Sequence, residues 1–545
     1  MSDTRASAPT KTQSSGGIID TLQSLIVAFV FAMAFRGFVL EGFVIPTGSM
    51  APTLMGAHIR IHSPATGYEY AVDSADIIMA QQMGQRRNDR PIFDPMISRQ
   101  SPVLAIPGAE LAAANRMGDR VLVLKYLAPL THPTRWDVAV FKNPTDPVGE
   151  APYYIKRMVG MPDETLLIAD GDIFTGAFDA KVDDLRIERK PEMVQRAVWQ
   201  PVYDSDYEPV EVERVEAAMR QRWRGSPWRP SEGWDTRGKR EWKWDRKLPA
   251  SIAWSNETLP LDDWNAYNTY RRDIPLYPMA DLAISAAIDA AEPAAFRCTL
   301  DLSARGRVFR FAIGAGTATL SVIEAESQVV ASTATFPFAP TAAGAPHPTG
   351  PMRLECWHVD QRMSLFLDGD LLGFLDYDFG GPLKRILASH FGRTLEQYVA
   401  NPTGQRPTPT AMEWRFEGSP FSLRHVTVQR DLYYRPDFLS ANNQYPTNGT
   451  AISGLAFGCD PMNPARLGPS DHLMFGDNSG ASKDSRLWGR SHPLVLRELG
   501  NDHPFVVPRE MLIGKAWSVY FPAPVAMSSG GRAFIPDFGR LRFIR

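Results

Sequence analysis

Ser49 lies in the run Ile45-Pro46-Thr47-Gly48-Ser49-Met50-Ala51-Pro52-Thr53-Leu54, a few residues beyond the only strongly apolar segment of a 545-residue chain. A serine hydroxyl is a weak nucleophile near neutral pH, so a neighbouring group must take its proton. The usual partner is a histidine oriented by a carboxylate, but none of the ten histidines stands in a pattern that nominates one. No nucleophile elbow surrounds Ser49 either, because Ala51 occupies the last glycine position of a G-x-S-x-G run. A lysine can serve if it is neutral, which requires apolar burial to depress its pKa by several units from about 10.4. Lys156 is such a candidate: Tyr153, Tyr154, Ile155, Met158 and Val159 surround it in a strand-like run, where alternation sends it to one face. A third run, Gly476-Asp477-Asn478-Ser479-Gly480-Ala481-Ser482-Lys483-Asp484-Ser485-Arg486, reads by itself as a turn. Acyl transfer by a serine and a lysine is the chemistry these residues offer.

The rest of the chain must position them. Its length implies two or three domains. A composition of 44% apolar and 22% charged residues is that of a globular protein, and a net charge of −3 argues against a general nucleic-acid binder. Cys298, Cys356 and Cys459 are widely spaced and form no CxxC pair, so they read as buried free thiols rather than as a zinc site. Residues 18–40 are hydrophobic. The unbroken apolar part, 25–35, is shorter than the roughly 20 residues of a membrane span. No small-x-small site follows before Ser49, so an uncleaved anchor is expected rather than a removed leader. Arg5 and Lys11 against Asp3 are too weak a bias to orient it.

Past the Ser49 run, 57–117 is polar and irregular. The run His62-Ser63-Pro64-Ala65-Thr66-Gly67-Tyr68 reads as a Pro-Gly turn with no metal. Strands are expected at 120–126, 137–142 and 153–159. A long insertion then follows. Eight tryptophans mark its first part: Trp199, Trp223, Trp228, Trp234, Trp242, Trp244, Trp254 and Trp264. Residues 221–247 carry nine Lys/Arg against four Asp/Glu. The expectation is a loop-rich segment whose indoles pack on neighbouring domains while the charges face water; the alternative is a membrane-surface or anionic-polymer contact. Alternating runs at 308–313, 318–323, 354–358, 363–366 and 421–428, with an Asp368-Gly369 hairpin turn, predict an antiparallel sandwich.

Taken in order, the Ser49, Lys156 and Gly476 runs resemble the boxes of type I signal peptidases, membrane-anchored Ser/Lys endopeptidases. Residues 354–369 resemble the central hairpin of a laminin-G or concanavalin-like jelly roll. The implied fold is mostly β: a signal-peptidase β fold after an N-terminal membrane helix, with an inserted antiparallel sandwich. The expected division is a polar tail (1–16), an anchor helix (17–40), a peptidase part with the nucleophile (41–56), an irregular insertion (57–117), a peptidase part with the base (118–175), a Trp-rich basic insertion (176–290), the sandwich (291–436) and a C-terminal peptidase part (437–545).

The resemblance implies Ser49 as nucleophile, Lys156 as general base, and Thr47 with the Ser49 backbone N–H as the oxyanion hole. It further implies that Ser482 hydrogen-bonds the lysine amine, and that Asp477, Asp484, Arg486 and Arg157 brace the site through ion pairs. Gly476 and Asn478 match the turn that holds the last box. No metal or other cofactor is implied. The implied partners are preproteins with cleavable signal peptides and membrane lipid, with a glycan or envelope protein at the sandwich. The implied location is the inner membrane, single-pass, with the catalytic part on the outer face. Two departures stand out: Ser479-Gly480-Ala481 replaces Arg-Asp-Asn, and Trp136 replaces a glycine. The alternatives are an impaired scaffold presenting its sandwich, and a Ser/Lys peptidase of other specificity.

Overall fold

The computed structural model describes residues 16–74, 89–99, 104–107, 114–126, 131–149, 152–220, 222–269, 275–314, 316–337, 351–401, 407–439, 454–501, 503–526 and 534–545. The polar tail, on which the charge bias rests, lies outside them, as does part of 57–117. Helix α1 spans Gly16–Phe38. Its stretch Ile19–Phe38 is long and apolar enough to cross a membrane, and none of it is buried against the rest of the protein.

The first sheet begins directly after α1. Its strands are β1 (Leu40–Val44), β2 (Arg120–Lys125), β3 (Val138–Lys142), β4 (Tyr153–Gly160), β5 (Asp471–Phe475), β6 (Val507–Pro508) and β7 (Leu512–Phe521), in the order β1-β2-β7-β3-β4-β5-β6. The runs predicted from Gly118 onward are therefore strands. Neighbours distant in sequence close this sheet: β4 pairs with β5 across the whole insertion. Residues 57–117 are less irregular than expected. His58–His62 pairs with Glu69–Asp73 and with Asn115–Arg116, because Ile59, Ile61, Tyr70 and Val72 alternate inward to form a small core of their own. The Pro64–Gly67 turn is present, with Gly67 at φ +77°.

The sandwich is larger than the sequence suggests. One sheet contains Gln200–Asp204, Phe421–Arg430, Leu282–Ala290, Met352–Val359, Arg362–Leu367 and Asp370–Asp376, with Trp242–Trp244 on its edge. The other contains Trp228–Pro230, Ala250–Trp254, Ala411–Glu417, Arg297–Ala304, Arg307–Gly314, Thr317–Glu324 and Val330–Pro337. The expected boundary at 291 is thus corrected: strands from the Trp-rich segment are members of both sheets. Trp228, Trp234, Trp242, Trp244 and Trp254 fill the sandwich's own core rather than a contact with another domain. The nine basic residues of 221–247 all face solvent, as expected. Asp368 and Gly369 both take positive φ, as the predicted two-residue hairpin requires. Cys298 and Cys356 are unpaired in this core, and Cys459 is free and buried elsewhere.

Directional charge contacts dock the sandwich on the segment that follows the first sheet's fourth strand. The turn Asp170-Gly171 follows Glu164–Ala169 and presents Asp170 to Arg305 (2.6 Å) and Arg385 (3.2 Å). Arg385 also bonds Asp172 and reaches Asp281 at 3.4 Å. Lys190 sits 2.8 Å from both Asp360 and Asp431. Arg385 is fully buried, so removing it leaves carboxylates without their cation. Arg385→Met should lower stability by about 3–5 kcal/mol, read as a lowered denaturant midpoint. Arg424→Ala, in the exposed pair with Glu241, should leave the midpoint unchanged.

Candidate active site

Pro46 offers no N–H to a ladder, so β1 stops and the chain turns. Gly48–Met50 forms one 3-10 turn. Met50 and Leu54 are buried with Val121, Val123 and Ile155, which anchors the turn while Ser49 remains half-buried. Lys156 stands opposite Ala139 in the β3–β4 register. Its strand does not alternate as expected, because from Ile155 to Gly160 both faces are covered. The Lys156 Nζ lies 2.7 Å from Ser49 Oγ and 3.1 Å from the Ile155 carbonyl. With only 4% of the residue exposed, burial lowers its pKa to about 8, against the opposing pull of Asp484 and Asp477.

Those carboxylates are each engaged by a guanidinium. Arg157 Nε and Nη2 grip the two oxygens of Asp477 at 2.8 and 2.7 Å. Arg486 grips Asp484 twice at 2.9 Å. Asp477 also accepts from Thr53 Oγ1 at 2.5 Å, and Asp484 from the Gly476 N–H at 2.9 Å. These four residues thus form two buried ion pairs, Arg157–Asp477 and Arg486–Asp484. The expected hydrogen bond from Ser482 to the lysine amine is not seen: Ser482 is buried, and its Oγ has no hydrogen-bond partner among the described residues. Ser482 still borders the site, because a Cβ on Gly476 would stand 2.2 Å from its Oγ and 2.5 Å from the Ser49 carbonyl. Only glycine permits that approach. Thr47 is exposed, and its side chain makes no capping bond to the turn.

Several residues at this site had no signal in the sequence. A Cβ on Gly48 would lie 2.0 Å from the Tyr267 ring, and Asn268 pairs with Asn478. Asp263 and Arg435 form a buried pair at 2.6 Å, and Ser479 Oγ accepts from the Arg435 N–H. All four lie in or beside the insertion, over 200 residues from Ser49 in the case of Tyr267. Arg435 enters where Ser479-Gly480-Ala481 departs from the usual charged residues.

A serine hydroxyl in contact with a lysine amine whose pKa is lowered by burial is an arrangement suited to acyl transfer. Residues 18–108 and 96–201 match the family described as signal peptidase, peptidase S26. The matched stretch contains both Ser49 and Lys156. No curated protein matches the chain. Among solved structures, the botulinum neurotoxin serotype D binding domain aligns at 8% identity and a TM-score of 0.23, over 37% of this chain and 42% of its own. The carbohydrate binding module CBM66 from Bacillus subtilis aligns at 10% and 0.21, over 38% of this chain and 97% of its own. Sheep galectin-11 aligns at 10% and 0.18, over 28% and 93%. The chain spans about four-tenths of the length of the first of these.

The Tyr267 ring is itself buried, so Gly48→Ala forces an overlap that no side-chain swing relieves. It should cost about 1–3 kcal/mol, read by chemical unfolding. In the background of Tyr267→Ala the same substitution should cost much less, a non-additivity that reports the contact.

Proposed function

We propose that the protein is a membrane-anchored serine endopeptidase that removes signal peptides from exported preproteins. The observation that carries this reading is the 2.7 Å contact between Ser49 Oγ and a buried Lys156 amine. The family match over the same residues supports it. Lys156, once neutral, takes the Ser49 proton as Oγ attacks the carbonyl that follows a small-x-small sequence. Negative charge on that oxygen is met by the Ser49 N–H and the Thr47 hydroxyl, one such donor being worth about 2.7–4 kcal/mol. Lys156 then gives its proton to the leaving amine and activates the water that frees Ser49.

In this reading helix α1 holds the site at the outer face of the inner membrane. Signal peptides emerge there, and the search for substrate is shortened. The grips on Asp477 and Asp484 keep the lysine from being pinned in its charged form. A peptidase of other specificity would share the dyad but not the demand for small residues at −1 and −3.

Cleavage of a labelled preprotein in detergent tests the assignment. Ser49→Ala and Lys156→Ala should each lower turnover by about 10⁴-fold or more, with intact folding; cleavage surviving Ser49→Ala would sink the nucleophile. The pH profile is a second check. The base acts when unprotonated, so kcat/KM should rise with pH and level off above about 8. A profile flat from pH 6 to 10 would contradict the lysine's role.

A further inference from the structure

The Ser49 turn is held by a side chain that is in turn held by the insertion. Asn478 donates its backbone N–H to the Ser49 carbonyl at 3.1 Å and its Nδ2 to the Gly48 carbonyl at 3.0 Å. Both carbonyls flanking the serine's nitrogen and carbon are thus tied to one residue. The amide of Asn478 is locked in plane by Asn268, whose Nδ2 donates to Asn478 Oδ1 at 2.6 Å. In return Asn268 Oδ1 accepts from Asn478 Nδ2 at 3.0 Å. The two N–H groups of Asn478 Nδ2 are then both used, one on Gly48 and one on Asn268. The Gly48 carbonyl settles which end of the amide is nitrogen, since a flipped Asn478 would set acceptor against acceptor.

Asn268 itself stands on a rigid support. It ends the 3-10 turn Ala266–Asn268, capped by Asn265 Oδ1 on the Tyr267 N–H. Tyr267 is buried against Gly48 and donates its hydroxyl to the Ala57 carbonyl at 2.9 Å. Upstream, Asp263 is paired with Arg435, whose N–H reaches Ser479 in the last box. A Cβ on Gly480 would lie 2.7 Å from the Arg435 guanidinium carbon, so that box carries no side chain where the insertion enters. Neither Gly48 nor Gly480 has positive φ; each leaves room for an insertion side chain.

The geometry points to Asn268 as a positioning residue for the Ser49–Lys156 pair, acting through Asn478, and so to the inserted segment as a working part of the peptidase site. The inference rests on the serine–lysine reading above. Asn268→Ala should lower kcat on a preprotein about ten- to a hundredfold with KM little changed, and with a thermal midpoint close to wild type. Asn268→Asp, which keeps shape and acceptors but loses the donor to Asn478 Oδ1, should fall in the same direction. The double variant with Asn478→Ala should be no slower than Asn478→Ala alone. Hydrogen exchange over 48–54 and 476–482, which needs no turnover, should quicken in Asn268→Ala. Wild-type kcat in folded Asn268→Ala, multiplicative losses in the double variant, or unchanged exchange would overturn the proposal. Wild type that cuts nothing, or cutting that survives Ser49→Ala, would instead sink the reading of function, and exchange alone would then decide the clamp.

Discussion

A lysine is available as a base near neutral pH only where its ammonium form is disfavoured, here by burial, and the sheet that carries Lys156 is arranged around that constraint. Lys156 sits in β4, flanked by β3 and β5, in the stretch where the strand is covered on both faces. Burial alone would favour the neutral amine strongly. Asp477 and Asp484 oppose it, and free carboxylates so close would keep the lysine an ammonium ion. Each is instead bound by two hydrogen bonds to its own guanidinium, which spends most of its field on a nearer partner. The outcome is a lysine with a pKa lowered to about 8 rather than abolished or restored.

The same logic explains an unusual backbone position. Trp136 stands at φ +74°, in the left-handed region that costs a non-glycine residue roughly 1–2 kcal/mol. Its carbonyl accepts from Arg157 Nη1 at 2.8 Å, and its N–H donates to the Met158 carbonyl at 2.7 Å. The turn thus feeds the arginine that neutralises Asp477. A glycine would adopt it freely, but the indole here is buried with Val159, Leu166 and Ile173 and lies 5.2 Å from the Lys190 ammonium. Burying a large apolar side chain is worth about 1.5–3 kcal/mol, enough to offset the strain.

What could be read from the sequence was what is local. The serine run, the strand around Lys156 and the five alternating runs of the sandwich each declare themselves within ten residues, because period-two burial and turn chemistry act over that range. Trp242–Trp244 and Trp228–Pro230 did not, since three-residue strands are too short to show a period, and a cluster of indoles reads equally as loop packing. The unmade Ser482 bond was also hidden, since residue type places a hydroxyl near the amine but does not fix its geometry. Asn268 and Arg435 were beyond reach for a different reason. Asn268 meets Asn478 across 210 residues and Arg435 meets Asp263 across 172, and no spacing rule ties such positions together.

The polar junction between sandwich and peptidase bears on how those distant residues can matter. Asp170, Asp172, Asp281, Asp360 and Asp431 face Lys190, Arg305 and Arg385, all buried or nearly so. Carboxylates outnumber cations there. Burial and the neighbouring Asp281 charge push the Asp172 pKa well up, while Arg305 and Arg385 hold Asp281 down against the cost of its own burial. An apolar contact of similar area would be as stable or more so, yet it could slide, because burial has no direction. Forked guanidinium contacts cannot slide without breaking. A junction of that kind fixes the sandwich in orientation as well as in place, and the loop carrying Tyr267 and Asn268 needs orientation, since it must meet the Ser49 turn at hydrogen-bond distance.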